Sequence, residues 1–356
     1  MAASNTRFTQ NSLGQSKTPI DSDHGIYRYA ARVHHAPRWR ISGIAARCTR
    51  AAAGKGGTNW IFGPCSRLAS TFATRVDALR KGLRDLGYIE GNNIAIEFRW
   101  AQTVDDLPGL AAEFVRMRVD IIFAPVSTFV APARLATITI PIVFASHADP
   151  IGLGHVASLA RPGGNITGLS MLLTELSVKE LEILKEAVPQ GFRFGVVWNP
   201  TTPSHIPALR SVESAGKTLG IELYEVPMRT IEEAEQAFES MTQAQVAGFL
   251  VLASQTAYSE HGARLGELAL KYRLPGMFGF EENVRAGGLM SYSADILDLY
   301  RRSAAYIDKI LKGVSPAELP VEQASKYKLV INLKTAKTIG LEIPPTLLAL
   351  ADEVIE

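Results

Sequence analysis

Polar side chains that suit a small charged molecule follow the ends of two apolar segments of the chain. Ser127 and Thr128 come after the apolar run 119–124, where a helical pattern begins, and Asp149 comes after the run 140–145. Hydroxyls beside the free N–H groups of a helix start suit a carboxylate or phosphate, whereas the Asp149 carboxylate suits an ammonium group. Capping of the helices that follow is the alternative interpretation for these three residues.

Four further polar residues occupy equivalent positions after predicted strands. They are Ser66, Asn199, Gln255 and Glu281. In open α/β sheets a ligand binds outside the carboxyl ends of the strands, where successive loops diverge. Because aromatic residues accompany these loops, they are more typical of binding than of catalysis. We therefore expect all seven residues to line one ligand-binding site.

Residues that would carry catalysis or hold a metal form no recognisable constellation. The seven histidines are scattered, and only His34 and His35 are adjacent, a spacing that places two ligands on neither a helix face nor a strand face. The chain has no Gly-x-Ser-x-Gly elbow and no Walker loop. His147 beside Asp149 and near Cys65 would suit a thiol site, but we interpret His147 as a surface histidine and Cys65 as an ordinary cysteine. The sequence predicts no catalytic residue, no metal and no cofactor.

A glycine fingerprint of the dinucleotide-binding type occurs at residues 152–157. It lies several residues beyond its predicted strand, and no acidic residue that would hold a ribose follows at the end of the next strand. We therefore do not predict nucleotide binding.

The elements that must position these residues alternate between strand and helix from about residue 58. Residues 94–100 alternate between apolar and polar, which predicts a half-buried strand. The runs 119–124 and 140–145 are continuously apolar, and such strands between helices indicate a parallel sheet covered on both faces. The segment before residue 94 has the spacing of an amphipathic helix. The apolar residues that would form its buried face are Phe72, Val76, Leu79, Leu83 and Leu86.

Turn-forming residues interrupt this alternation at 161–168, and there we predict the first crossing between two lobes. A second series of strands and helices follows. The predicted fold class is α/β, with two doubly wound parallel-sheet lobes joined by a hinge. We assign residues 58–170 and about 290–320 to the first lobe. The second lobe takes about 171–289 and 321–356.

Composition and charge narrow the class of protein. A length of 356 residues suits two lobes of ordinary size, and a hydrophobic fraction of 47% supplies the material for their cores. Lys and Arg exceed Asp and Glu by only two, so we expect no nucleic-acid partner. The two cysteines, Cys48 and Cys65, provide neither a disulfide framework nor a Cys-rich zinc site.

Residues 1–57 differ from the rest because they are rich in Arg and Ser, poor in acidic residues and without a lasting apolar period. This composition predicts disorder. A transit-like leader, a basic nucleic-acid arm and an extension from a wrong start or frameshift are the three explanations, and we favour the last. We recognise no secretory signal, and no run approaches the roughly 18 apolar residues of a membrane span.

Several motifs together resemble one known family, the ABC-transporter substrate-binding proteins related to tryptophan- and tyrosine-binding lipoproteins. The resemblance covers about residues 60–356. It implies a type I periplasmic-binding fold with three crossings between its lobes. The segments that carry it are 82–94 (GLRDLGYIEGNNI), 149–154 (DPIGLG), 161–168 (RPGGNITG), 286–292 (AGGLMSY), 330–336 (VINLKTA) and 344–354 (PPTLLALADEV).

By this resemblance the protein is expected to capture a small solute in the cleft between its lobes and to deliver it to a membrane permease. An amino acid would place its carboxylate at Ser127 and Thr128 and its ammonium group at Asp149. Family members carry an export signal and work in the periplasm or cell envelope, where we also expect this protein, as a monomer. The alternatives are the ligand-sensing domain of a transcriptional regulator and a small-molecule hydrolase using Cys65.

Overall fold

The computed structural model of the chain describes residues 70–101, 103–254, 258 and 261–356. The predicted extension 1–57 lies outside the described residues. In the part that is described, no helix combines the length and the apolar character needed to cross a membrane.

Helices and strands alternate along the described chain. The α-helices are α1 (Ser70–Asp85), α2 (Leu107–Met117), α3 (Ser127–Ala136), α4 (Leu173–Ala187), α5 (His205–Thr218), α6 (Ala234–Gln243), α7 (Gly262–Tyr272), α8 (Glu281–Arg285), α9 (Ile296–Leu311), α10 (Leu333–Ile339) and α11 (Pro345–Leu350). The strands are β1 (Ile122–Phe123), β2 (Ile142–His147), β3 (Ile166–Ser170), β4 (Arg193–Trp198), β5 (Glu222–Pro227), β6 (Gly248–Val251), β7 (Gly276–Phe278), β8 (Met290–Ala294), β9 (Glu322–Gln323), β10 (Tyr327–Asn332) and β11 (Glu353–Ile355).

The described strands form two sheets. One has the order β1-β2-β3-β9 and is parallel throughout. The other has the order β11-β10-β8-β7-β6-β4-β5, and its single antiparallel pair is β8 with β10. Each sheet forms the centre of one lobe, so the predicted α/β class with two doubly wound lobes is confirmed.

Helices cover both faces of each sheet. Successive side chains of a strand point in opposite directions, so neighbouring residues of one strand pack against helices on opposite faces. In the first lobe, Ile142 and Phe144 of β2 belong to a cluster formed with α2 and α3. Val143 and Ala145 belong instead to a cluster that includes residues of α1 and α9. In the second lobe, Phe249 of β6 packs with α6 and α7, whereas the next residue, Leu250, packs with α4 and α5. Continuous apolar strands were the sequence signal for this arrangement.

Three short segments connect the lobes. They are residues 171–172 between β3 and α4, Asp295 between β8 and α9, and residues 324–326 between β9 and β10. Backbone hydrogen bonds join the segments side by side. The Ala324 N–H donates to the Ser170 carbonyl oxygen at 2.8 Å, and the Asp295 N–H donates to the Lys326 carbonyl oxygen at 3.0 Å.

The predicted first crossing at 161–168 is wrong by a few residues. The turn at this place leads into β3, which still pairs with β2 in the first sheet, and the chain changes lobe only afterwards. Position 168 within β3 requires glycine, because a Cβ there would lie 2.0 Å from the Phe144 carbonyl oxygen. Turn-forming residues therefore marked a close backbone approach and not a change of lobe.

The predicted lobe boundaries also need correction near the second and third crossings. Residues 290–294 were assigned to the first lobe, but they form β8 of the seven-stranded sheet. Residues 322–323 were assigned to the second lobe, but they form β9 at the edge of the four-stranded sheet. Both strands are short, and the alternation of elements does not reveal which sheet a short strand joins.

The strand predicted at 94–100 is not observed. Among the described residues this segment forms only an isolated bridge at Ile94. The alternating residues pack without forming a strand: Ile94 and Ile96 pack with the large core cluster. The Phe98 and Trp100 rings stack 5.9 Å apart, and Arg80 lies 5.2 Å from the Phe98 centroid. Periodic apolar residues therefore produced a strand-like pattern in an irregular segment.

Candidate functional site

A small cavity lies where the carboxyl ends of the strands of both lobes meet. Its volume is about 30 Å³. A cavity of this size holds about two water molecules and not an amino acid. The first lobe contributes Ser146 near the end of β2 and residues that follow β1, β2 and β3, and the second contributes residues that follow β4, β6 and β7. The lining residues are Val126, Ser127, Thr128, Ser146, Ala148, Met171, Thr202, Ser204, Ala253, Ser254 and Phe280.

The start of α3 forms the wall of the cavity on the first lobe. Val126 is extended, with φ of −132° and ψ of 161°, and the helix begins at Ser127. The first N–H groups of a helix have no partner within the helix, and its N-terminus carries partial positive charge. Ser127 and Thr128 both line the cavity at this N-terminus. The wall therefore combines hydroxyl groups with a potential that favours an anion.

The Ser127 hydroxyl is bound from two sides. Its oxygen accepts the Ala148 backbone N–H at 2.8 Å, and it lies 3.3 Å from Nδ1 of His147. The opposite nitrogen of the same ring, His147 Nε2, lies 2.7 Å from Nδ1 of His155. The half-buried His155 is thus connected to the cavity through one fully buried imidazole and one hydroxyl.

Burial keeps both imidazoles neutral. It lowers the pKa of His147 well below its usual range, and the neighbouring His155 lowers it further. Burial also lowers the pKa of His155 to about 4, and the Arg134 guanidinium adds to this effect. The interpretation of His147 as a surface histidine is wrong. β2 continues through this residue, which is fully buried and stacks edge-on against Phe144.

A second buried histidine lies behind the cavity on the other lobe. His205 opens α5, its Nδ1 accepts the Asn199 backbone N–H at 2.9 Å, and its Nε2 lies 3.2 Å from the Ala253 carbonyl oxygen. Since a backbone N–H can only donate and a carbonyl can only accept, the proton of the neutral ring is on Nε2. Burial lowers the pKa of His205 to about 4.

Asn199 supports the cavity without lining it. Its Oδ1 accepts both the N–H and the hydroxyl of Thr201 at 2.8 Å, and its Nδ2 donates to the Arg229 carbonyl oxygen at 3.1 Å. These bonds hold the turn that carries Thr202 and Ser204, and those two residues line the cavity instead. The sequence thus pointed to a loop that reaches the cavity, but not to the residues of that loop that line it.

Asp149 and Glu281 also lie outside this cavity. Asp149 Oδ1 accepts the Gly152 N–H at 2.7 Å, so its carboxylate caps a turn. The alternative interpretation, a helix cap, is wrong, because residues 150–154 form a turn and not a helix. Glu281 begins α8 and lines a separate cavity of about 130 Å³. It pairs there with Arg285 at 3.6 Å and Lys328 at 3.8 Å.

Of the seven predicted site residues, Ser127 and Thr128 line the cavity, and Ser66 and Gln255 lie outside the described residues. The same holds for Cys65. Residues that the sequence analysis missed include Met171 at the first crossing and Phe280 at the end of β7. Phe280 belongs to a loop that had been singled out, so the position of the loop was available as a signal. The direction of its side chain was not.

The described residues do not have the arrangement of a hydrolytic triad or of a metal site. In the series Ser127, His147 and His155 the third member is an imidazole, where a triad has a carboxylate that stabilises the charged histidine. Among the described residues, no group of three or more His, Cys, Asp or Glu side chains could hold a metal ion.

Comparison with known proteins bears on both the fold and the site. The family model described as "ABC transporter substrate binding protein" matches residues 70–355. A tyrosine-binding protein of Clostridioides difficile is 28% identical over 265 residues, which cover 74% of this chain and 75% of the relative.

Two solved structures are similar over 84% of this chain and the whole of their own. A conserved domain protein of Vibrio cholerae has a TM-score of 0.77 at 25% identity. A domain from Streptococcus pneumonia in complex with L-Trp also has a TM-score of 0.77, at 22% identity. Together with similarity to sugar-binding proteins of the same architecture, these matches identify the fold as the type I periplasmic-binding fold.

Proposed function

Because this chain belongs to the family of ABC transporter substrate-binding proteins, we propose that it captures a small solute between its lobes and presents it to a membrane permease. The observation that carries this proposal is the cavity at the strand ends, which takes its lining from both lobes. A ligand that contacts both walls favours the closed arrangement by its differential affinity for it. By analogy with the family, the protein acts as a monomer in the periplasm or cell envelope.

The ligand that suits the two walls of the cavity, once they move apart, is an amino acid. Its carboxylate meets the hydroxyls of Ser127 and Thr128 at the N-terminus of α3, where charge-assisted hydrogen bonds are strongest. Met171 and Phe280 supply apolar surface for the side chain. The tyrosine-binding relative and the L-Trp complex support an aromatic amino acid in particular.

Binding requires the lobes to separate. A cavity of about 30 Å³ has no room for an amino acid, so the ligand enters when the two walls move apart. The three crossings are short and lie side by side, which suits a rotation of one lobe against the other. The closed form that follows ligand binding is the form that a permease would recognise.

A thermal-shift screen of the purified full chain against the twenty amino acids, followed by isothermal titration of the hits, tests this proposal. We expect at least one amino acid to raise the melting temperature and to bind with one-to-one stoichiometry. Failure of every amino acid to bind would contradict the assignment of the ligand class.

The Ser127→Ala variant tests the position of the ligand. Loss of a hydrogen bond to a charged group costs about 1.5–3 kcal/mol, so we expect affinity to fall by at least about tenfold. Ser158→Ala is the matched control, because Ser158 lies in the same lobe and, within the described part of the chain, its hydroxyl bonds to the backbone of Arg161 and not to the cavity. Equal affinities of the two variants would place the ligand elsewhere.

A further inference from the structure

The series of hydrogen bonds from His155 through His147 to Ser127 has two possible proton arrangements. A neutral imidazole has one donor nitrogen and one acceptor nitrogen. Both nitrogens of His147 have a side-chain partner, at 3.3 Å on the Ser127 side and 2.7 Å on the His155 side. Neither partner is restricted to donating or to accepting, so the surroundings of His147 do not determine its tautomer in the way that backbone groups determine that of His205.

Each arrangement gives Ser127 a different character toward the cavity. A hydroxyl has one donor and two acceptor positions, and one acceptor position of Ser127 is already taken by the Ala148 N–H. If Nδ1 of His147 donates, both acceptor positions are filled and the Ser127 O–H is left for the ligand. If Nδ1 accepts, the Ser127 O–H is consumed and only an acceptor position is left for the ligand.

We propose that His147 and His155 are positioning residues that make Ser127 a hydrogen-bond donor to the ligand carboxylate. In the binding arrangement the His155 Nδ1–H donates to His147 Nε2, and the His147 Nδ1–H donates to Ser127 Oγ. This proposal deepens the proposed function and rests on it for the identity of the ligand group. The relay itself is a property of the free protein.

Protonation of His155 enforces the same arrangement. A charged imidazole carries a hydrogen on both nitrogens, so His155 can then only donate to His147. Among the described residues, the charged group that acts on His155 is Arg134 on α3, whose guanidinium bonds the Gly154 carbonyl oxygen. A carboxylate bound at Ser127 therefore favours the charged form of His155 by linkage.

The tautomer of His147 can be observed without a ligand. We would label the histidines of the full chain with ¹⁵N, record long-range ¹H–¹⁵N spectra from about pH 7 to about pH 4.5, and assign the rings with His147→Gln and His155→Gln. We expect the Nδ1–H tautomer of His147 to predominate. In molecules whose His155 is charged, we expect every His147 ring to be in that tautomer. An Nε2–H tautomer of His147 throughout this range would overturn the proposal.

The effect on the ligand is tested by titrating L-tyrosine and L-tyrosinamide, whose carboxylate is replaced by a neutral amide. We expect His155→Leu to lower the preference for the carboxylate by about tenfold and to remove the dependence of that preference on pH. An equal loss of affinity for both compounds, with an unchanged pH profile, would show a merely structural role and would also overturn the proposal.

His261→Leu is the matched control, because His261 is an exposed histidine that does not line the cavity. It should leave both affinities unchanged. If the wild-type protein binds neither compound, the proposed amino-acid ligand fails, while the tautomer of His147 still decides the proposal about the relay.

Discussion

Each lobe buries one histidine directly behind the cavity, but the two rings have different kinds of partner. His205 in the second lobe is held by a backbone N–H and a backbone carbonyl. His147 in the first lobe is held by a serine hydroxyl and a second imidazole. Backbone groups have fixed donor and acceptor roles, whereas hydroxyls and imidazoles can take either role.

This difference separates a structural histidine from one that can respond to a ligand. The two bonds of His205 join the loop after β4 to the end of β6, so the ring holds together two parts of the second-lobe wall. The two bonds of His147 reach from the half-buried His155 to the cavity. Burial and a lowered pKa are common to His147 and His205, so the partners, and not the burial, distinguish the two roles.

The comparison predicts a large difference in stability between two matched variants. His205→Leu would leave the buried N–H of Asn199 and the carbonyl of Ala253 without partners, so we expect the free energy of unfolding to fall by about 3 kcal/mol. His147→Leu should cost only about 1 kcal/mol, because Ser127 keeps the Ala148 N–H and His155 can turn to water. Urea unfolding of both variants at neutral pH measures the difference. Equal losses would contradict the structural role given to His205.

His205 should also make the stability of the protein fall as the pH falls. Its pKa is about 4 in the folded protein and about 6.5 in an unfolded chain, so the unfolded chain binds more protons between these values. Stability from the neutral ring is complete above about pH 6.5 and is lost as the pH falls toward 4. We expect the wild type to lose about 2 kcal/mol more than His205→Leu between about pH 7 and about pH 4.5.

Glu180 has the opposite effect on the pH dependence of stability. For this reason the wild type must be compared with the His205→Leu variant. The Glu180 side chain on α4 is fully buried and has no hydrogen-bond partner among the described residues, and burial raises the pKa of its carboxyl well above the usual range. A raised carboxyl pKa makes the folded protein more stable as the pH falls. Because both proteins contain Glu180, its contribution cancels in the difference. Parallel stability curves would show that His205 is not the responsible group.

The sequence allowed the fold and one wall of the cavity to be predicted, and the reasons are physical. Continuous apolar strands between helices require a sheet covered on both sides, and the end of such a strand before a helix requires an exposed helix N-terminus. Ser127 and Thr128 were found by this argument. Residues 94–100 show the limit of this reasoning, because the packing of Ile94 and Ile96 on the core and the stacking of Phe98 on Trp100 gave an irregular segment the periodicity of a strand.

The polar residues behind the cavity could not be predicted in the same way. His147 lies in a polar-looking segment, and its burial depends on how far β2 extends alongside β3. His155 reaches it through a loop whose course the sequence does not determine. On the second lobe, Asn199 was singled out as a ligand residue, but its side chain supports the turn that presents Thr202. Side-chain direction within a loop has no periodic signal.

Substitutions of Asp149 should have the smallest effect on stability and affinity. They test whether its carboxylate contacts the ligand or only supports the wall of the first lobe. Its carboxylate caps the turn at Gly152 and does not line the cavity, so we expect Asp149→Ala to lower stability by about 1 kcal/mol without changing affinity. Asp149→Asn keeps an acceptor oxygen for the Gly152 N–H and removes only the charge, so it should leave both quantities nearly unchanged. Thermal unfolding and isothermal titration with the best amino acid measure them. A loss of affinity in Asp149→Asn at unchanged stability would mean that the carboxylate meets the ligand ammonium, because only the charge differs between the two proteins.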